Sequence, residues 1–413
     1  MNPITTITLS SGMTLVVEPM QGVRSAAIAF LTPAGFAADP EPRQGFAPLA
    51  SELLMRGAGD LGSREHADAL DRLGVGRSAS AGAHFMSVGA TLVGARLLEA
   101  LPLLTNMVLR PRFEPQAFEP ARELALAALE SLKDEPTERV ALAARARHLP
   151  SPLSRSGLGT EQGLTDATRD ELAQHWATHA LPERSIFAAA GAVDPVALRD
   201  RLEQLLSGWR GRAPAWNLGA PPERGYQHIE DPTNQVQILM MHDAPPESAP
   251  ESWLEKVVVN VLSGGMSGRL FTEVREKRGL CYSVNASYRG DKEFGTCAAY
   301  VGTTPERAQD SFVVLLEQLR LINDSGITPD EFNRAITGMK SRLVFSSEST
   351  SARAAGLASD LHRLGRARTL VEIAAQIDAI TLDQVNAYLK TRRLGSMTIQ
   401  TLGPRPLRPD AVA

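Results

Sequence analysis

The chain has 413 residues, a formal net charge of −4, 43% hydrophobic residues and 22% charged residues. That length suits about two domains of ~150–200 residues, the composition is ordinary for a soluble globular protein, and the slightly acidic balance leaves no basic footprint for nucleic acid. No stretch approaches the length of a membrane span. Residues 1–17 carry neither the basic n-region nor the apolar h-region of a signal peptide, so a cytoplasmic location is expected. The two cysteines, Cys281 and Cys297, agree with a reducing compartment.

In chain order, residues 7–19 read as a hairpin turning at Ser11-Gly12, and residues 25–31 as a buried strand. A helix over 45–56 carries Pro48 in its first turn, where proline is tolerated. Further helices are expected over 66–73, 97–108 and 119–132, with a strand pair over 79–92. Residues 164–179 read as one helix with Thr165 as its N-cap. This helix sets Glu171, His175 and His179 at i, i+4 and i+8. Its H-W-A-T-H run lacks the Glu that follows the first His in helical zinc motifs, so it reads as a polar face with Trp176 turned inward. A strand over 186–193 and a helix over 195–207 follow. The aperiodic, Pro- and Gly-rich run 214–225 reads as a linker. The expected domains are therefore 1–210 and 226–413, joined by a linker over 211–225.

In the second half, residues 266–277 read as a helix with Leu270 and Val274 on one face and Gly279 just past its end. Residues 281–288 then alternate as a strand: Tyr282, Val284, Ala286 and Tyr288 on one side, Ser283, Asn285 and Ser287 on the other. Arg275 falls on the last helical turn and Tyr282 at the strand's start. A tight glycine turn would bring guanidinium and phenol together, and a forked donor beside a phenolic O–H suits a developing oxyanion or a peptide carboxylate. A hairpin turning near 290–293 would set Cys281 opposite a residue near Val301, so the two thiols would not meet.

The second half also repeats the first. Phe113-Glu114-Pro115-Gln116-Ala117-Phe118 aligns with Ile327-Thr328-Pro329-Asp330-Glu331-Phe332, Leu164-Thr165 with Ile380-Thr381, and Ser185-Ile186-Phe187 with Ser396-Met397-Thr398. Three elements in one order at a nearly constant interval imply two copies of one α+β fold, each a sheet with helices on one face.

The run G-G-M-S-G-R-L-F-T-E-V-R-E-K-R-G-L-C-Y-S-V, which contains Arg275 and Tyr282, resembles the second-domain signature of the pitrilysin-type peptidases, the family of the mitochondrial processing peptidase. These are inverted zincins with an H-x-x-E-H metal motif. The resemblance covers nearly the whole chain. It implies two similar domains, each a mainly antiparallel sheet with helices packed on one face. It also implies that Arg275 and Tyr282 reach into an active site built on another domain, where they hold substrate and stabilise the transition state.

Active relatives read roughly G-x-A-H-x-x-E-H-M-x-F-x-G. This chain reads Gly45-Phe46-Ala47-Pro48-Leu49-Ala50-Ser51-Glu52-Leu53-Leu54-Met55-Arg56-Gly57. In that frame Pro48 stands for the first His, Ser51 for the catalytic Glu and Glu52 for the second His. With Asp134-Glu135-Pro136 as anchor, Ala128 stands for the third ligand; a frame shifted by two places Glu123 and Glu130 instead. Catalytic zinc needs three protein ligands and an open position, so no metal or cofactor is expected on this chain. The implied role is that of the metal-free subunit of a heterodimeric zinc peptidase. Such a chain is inactive alone, donates Arg275 and Tyr282 in trans to an H-x-x-E-H partner that holds the zinc, and helps enclose a peptide or unfolded polypeptide. No nucleic acid or membrane enters this reading. The alternative is a catalytically inert structural or peptide-binding homologue, like the metal-free relatives that became core subunits of respiratory complexes.

Overall fold

The computed structural model describes residues 4–409. The first half runs β1 (Thr5–Thr8), β2 (Thr14–Pro19), β3 (Ser25–Thr32), α1 (Phe46–Leu53), α2 (Ser63–Arg72), β4 (Gly76–Ala81), β5 (Met86–Val93), α3 (Leu97–Leu109), α4 (Pro115–Ser131), α5 (Pro136–His148), α6 (Glu161–Asp166), α7 (Arg169–His179), β6 (Ile186–Gly191) and α8 (Pro195–Leu205). The second runs β7 (Gly225–Glu230), β8 (Val236–Ala244), α9 (Glu251–Ser263), β9 (Cys281–Gly290), β10 (Gly295–Thr303), α10 (Ala308–Ser325), α11 (Pro329–Glu348), α12 (Thr350–Leu364), α13 (Leu370–Asp378), α14 (Leu382–Thr391) and β11 (Thr398–Gly403). Among the described residues no helix is long and apolar enough to cross a membrane.

The internal repeat is visible in the sheets. Their strand orders are β1-β2-β6-β3-β5-β4 and β7-β11-β8-β10-β9. Without β1, the two orders correspond strand for strand. Each has one parallel pair, β2 with β6 and β7 with β11, in an otherwise antiparallel sheet. The fold is α+β.

The helix starts explain the aligned motifs. Pro115 and Pro329 open α4 and α11, where the missing N–H costs nothing. The second aligned helix opens elsewhere than expected. Thr160 caps the short α6, the chain breaks at Ala167, and Thr168 caps α7 in a reciprocal capping box with Glu171. Thr381 caps α14 in the same way with Gln384. Thr168, not Thr165, is thus the structural counterpart of Thr381. A capping box satisfies two orphan N–H groups at once, and this outweighs the apolar continuity from Leu164 that suggested a single helix.

The chain packs as two interleaved compact units rather than as contiguous halves. One comprises Met1–Ser131, Ser151–Gly219 and Ser346–Arg368; the other comprises Leu132–Pro150, Ala220–Phe345 and Thr369–Ala413. Each half gives one helix to the other half's sheet. In the first unit, α12 buries Ala354, Leu357 and Ala358 against Val16, Ala27, Ala29, Ala188 and Ala190 of β2, β3 and β6. The alanines let the helix approach closely. Gly191, at φ +116°, has no room for a side chain: a Cβ there would lie 2.3 Å from the Ser25 carbonyl oxygen and 2.9 Å from Thr350 Cγ2. In the second unit, α5 buries Val140 and Ala144 against Leu239, Met241, Tyr300 and Leu402. The remaining helices of each unit cover the opposite sheet face, over cores centred on Phe30 and Phe187 in one and on Phe312 in the other. Each sheet therefore carries helices on one face, as expected, plus a single exchanged helix on the other.

Polar anchors fix both exchanges. Arg353 of α12 donates through Nε to Glu18 Oε2 at 2.7 Å, and both side chains are buried. Beyond the helix, Arg368 Nη2 meets Asp360 Oδ1 at 2.6 Å. On α5, Arg147 donates to the Gly225 carbonyl at 3.2 Å, His148 Nδ1 lies 3.0 Å from Thr398 Oγ1, and Arg139 pairs with Asp231.

Candidate functional site

The degenerate metal motif lies on α1. Asp39 closes this helix's N-terminus: its Oδ2 accepts from the Gly45 N–H at 3.0 Å and the Ala47 N–H at 3.2 Å. Pro48 sits in the first turn, and Ser51 Oγ donates to its carbonyl at 2.8 Å. Glu52 is taken by Arg56, with Nε 2.8 Å from Oε1. On α4, half-buried Ala128 offers no donor atom, and Glu123 and Glu130 are exposed. The ligands of a zincin site are absent from this helix pair, and its one motif carboxylate is already paired. These residues do not fit catalytic zinc.

The Glu171, His175 and His179 set disperses. Glu171 turns to Arg43 (3.2 and 3.3 Å), which holds its carboxyl below the usual range. His179 Nδ1 lies 2.9 Å from the His175 carbonyl, and the two imidazoles stack at 4.1 Å. His175 faces Asp39, with Nε2 3.8 Å from Oδ1, and neither buried atom has a hydrogen-bond partner. The distance would make an ion pair only if His175 were protonated. Burial opposes that charge, aided by His179, and lowers His175 to about 3; burial raises Asp39 to about 7. Between about pH 3 and 7, a neutral acid facing a neutral imidazole is the state consistent with both.

In the second unit, His242, Glu255 and Cys297 bring one ligand atom each within 4.8 Å of the others. Arg392 already occupies the cation's role. Its guanidinium donates to both Glu255 oxygens (2.8 and 2.7 Å), and its Nη2 lies 3.0 Å from His242 Nε2. Cys297 Sγ and Tyr388 O–H complete the carboxylate's bonds at 2.9 and 2.5 Å. The site is a closed polar pin among β8, β10, α9 and α14.

The Arg275 and Tyr282 stretch is built differently from its sequence pattern. The helix expected over 266–277 starts later, after turns at 264–268, and becomes a π-helical turn over Phe271–Glu276. The Lys277 N–H bonds the Thr272 carbonyl at 3.0 Å, five residues back. Single π turns of this kind occur often at functional sites. Gly279, at φ +58°, then turns the chain into β9. Opposite β10, Cys281 pairs with Thr303 and Ser283 with Gly302, so Tyr282 is the extra residue of a β-bulge. The bulge breaks the expected alternation. Cys281, Val284 and Ala286 face the main core, whereas Tyr282 turns to the sheet face that carries α5. Cys297 pairs with Tyr288, and both cysteines are free.

Tyr282 is 45% exposed. Its O–H donates to Gln235 Oε1 at 2.7 Å, and it accepts from Gln237 Nε2 at 3.2 Å. Arg275 is exposed, with its guanidinium carbon 5.0 Å from the centre of the Phe271 ring. Burial raises the Cys281 thiol to about 11, against the charge of Arg275. No hydrogen bond or ring contact joins Arg275 to Tyr282, so the expected direct pairing is not formed. A phenol and a forked cation are presented separately on one strand–turn segment. Gln235, Gln237, Tyr300 and Thr137, which complete the Tyr282 surroundings, carry no sequence signal; the register of β8, β9 and β10 and the packing of α5 bring them together.

Residues 166–339 match the family described as Peptidase M16 inactive domain, a span that includes Arg275 and Tyr282. Bacillus subtilis "uncharacterized zinc protease YmxG" is 26% identical over 389 residues, covering 93% of this chain and 94% of that protein. Mycobacterium bovis "uncharacterized zinc protease Mb2805c" is 28% identical over 415 residues, covering 98% and 94%. The chain is thus similar to the pitrilysin-type, or M16, peptidases over its second-domain segment and, at lower identity, over nearly its whole length. Among solved structures, the peptidase M16 inactive domain from Pseudomonas fluorescens superposes with a TM-score of 0.88 at 19% identity, covering 98% of this chain and 99% of that one. A chain of complex III2 from Candida albicans gives 0.84 at 18%, covering 97% and 96%. At these identities the structures speak for the M16 fold alone. Set against the family's motifs, this chain departs at Pro48, Ser51 and Glu52 and has Arg and Tyr at 275 and 282.

Proposed function

We propose that this chain is the metal-free subunit of a two-chain zinc peptidase. It donates Tyr282 and Arg275 to a substrate held by an H-x-x-E-H partner and helps enclose the peptide. The observation that carries the reading is the contrast between the two M16 segments. The helix that would hold metal has lost both imidazoles and the general base, while the Arg275–Tyr282 segment is intact and presents an exposed phenol held by a built hydrogen-bond network. A phenol at a reacting carbonyl supplies a preorganised donor to the oxyanion. Arg275, without an ion pair among the described residues, is left to bind a substrate carbonyl or carboxylate with its planar fork.

The test is reconstitution. Alone, the chain should hold no stoichiometric zinc by metal analysis and cleave no unstructured peptide. Mixed with an H-x-x-E-H chain from the same cell, it should form a heavier species by light scattering and yield metal-dependent cleavage. One tightly bound zinc per isolated chain, or a partner fully active without it, would overturn the reading. The inert-homologue reading is favoured by one observation, the absence of a hydrogen bond or ring contact between Arg275 and Tyr282. It predicts assembly with full indifference to substitution at either residue.

A further inference from the structure

Behind Tyr282 lies a second phenol. Tyr300, on β10, is 8% exposed, and its O–H donates to Gln237 Oε1 at 2.5 Å. Thr137 of the exchanged helix α5 lies 3.2 Å from the same phenolic oxygen. Gln237, fully buried on β8, has its other end engaged too: Nε2 is 3.2 Å from Tyr282 Oη and 3.2 Å from Gln235 Oε1. Its Oε1 is also 3.5 Å from Tyr282 Oη, a longer and weaker approach. Gly302 makes room for the arrangement. A Cβ there would lie 2.6 Å from the Tyr282 hydroxyl and 2.7 Å from that of Tyr300.

We propose that Tyr300 and Gln237 are positioning residues that turn the Tyr282 O–H outward as a donor; this rests on the reading of Tyr282 as a group acting on substrate. The argument is one of hydrogen-bond direction. An amide has one accepting end and one donating end. With Tyr300 donating into Oε1, Nε2 of the Gln237 amide faces Tyr282. The Tyr282 oxygen then accepts from inside the protein, so its own proton is directed to the exposed side. In this structure the proton meets the exposed side-chain carbonyl of Gln235. That amide oxygen is chemically a peptide carbonyl, and it marks where a substrate carbonyl, displacing Gln235, would take the bond. Thr137 supports the far end of the relay, so the first half of the chain, through α5, holds the phenol site of the second.

The test uses the full chain assembled with its H-x-x-E-H partner and an unstructured fluorogenic peptide. Tyr300→Phe removes the hydroxyl that fixes Gln237. Gln237→Glu keeps the shape and the acceptor for Tyr300 but, when ionised, has no proton to give Tyr282, whose O–H then turns inward. Both should lower kcat on the order of 10- to 100-fold, as expected for a misdirected catalytic group. KM should stay within about twofold, the signature of an interaction made in the transition state. Activity of Gln237→Glu should recover as pH falls and the introduced carboxyl takes up a proton, a response that simple loss of packing would not give. If Tyr300→Phe does not fold, Gln237→Glu carries the test. If Tyr282→Phe lowers kcat but the other two variants run at the wild-type rate, the relay is overturned and the proposed function stands. If Tyr282→Phe itself runs at the wild-type rate, both are overturned.

Discussion

At the bulge in β9 a single extra residue decides which face a phenol serves, and Tyr282 emerges exposed with its oxygen bonded on both sides. Tyr282→Phe keeps the ring and loses one donor. In the assembled peptidase it should reduce kcat by ~10²–10³, roughly 3–4 kcal/mol of transition-state stabilisation, with zinc content and melting temperature unchanged. Arg275→Lys should also impair turnover, because a point charge does not reproduce a planar fork. A second residue-scale prediction concerns Asp39. Its folded value is raised above the ordinary 3.8 to about 7, so its contribution is fully present below pH 3.8 and is lost as pH rises through 7. The displacement is worth roughly 4 kcal/mol. His175 is depressed, so its contribution is fully present above 6.5 and is lost progressively as pH falls from 6.5 to about 3. Urea unfolding from pH 4 to 8 should therefore show Asp39→Asn gaining on the wild type as pH rises, and no relative gain would contradict the neutral pair. The spacing of Arg275, Gly279 and Tyr282 was legible because it is local. The bulge was not, since it is set by pairing with Gly302 and Thr303 on another strand.

Among the elements, α12 shows how a buried charge can hold an exchanged helix. Burying Leu357 contributes about 2 kcal/mol, and Ala354 and Ala358 add little area of their own. The Arg353–Glu18 pair supplies register that smooth alanine surfaces lack. Removing one member leaves an unpaired buried charge, so Arg353→Met should destabilise by about 3–5 kcal/mol. Glu18→Leu combined with Arg353→Met should recover most of that loss in thermal melts; an additive double variant would mean that the pair is not coupled. Thr381 is read correctly as a helix start, whereas α4 begins at Pro115 rather than at 119, and α5, α9, α10, α12 and α13 are not among the expected helices. The early break before α7 was missed because Leu164 and Thr165 continue an apolar pattern through a capping signal at Thr168. Neither α5 nor α12 is among the helices expected from the sequence, and nothing in either says which sheet its apolar residues will meet.

For the whole molecule, the exchange of α5 and α12 means that the exposed run around Leu218 to Pro221 is not where the chain comes apart. A protease site placed there and cut should leave two fragments that elute together from gel filtration and separate only in denaturant. Fragments that part under native conditions would show that the two helices do not hold the exchange. The repeat and the α+β class followed from aligned segments, but the interleaving did not, because it is a choice between two chemically similar sheets. The pairing of Glu18 with Arg353 also has a consequence in time. These residues are 335 positions apart. At ~5–20 residues per second, a ribosome needs on the order of 20–70 s after making Glu18 before its counter-ion exists. Through that interval the nascent first half carries an alanine-lined sheet face and an unpaired acid, so its final cover must wait until the ribosome has passed Arg353 and the rest of α12.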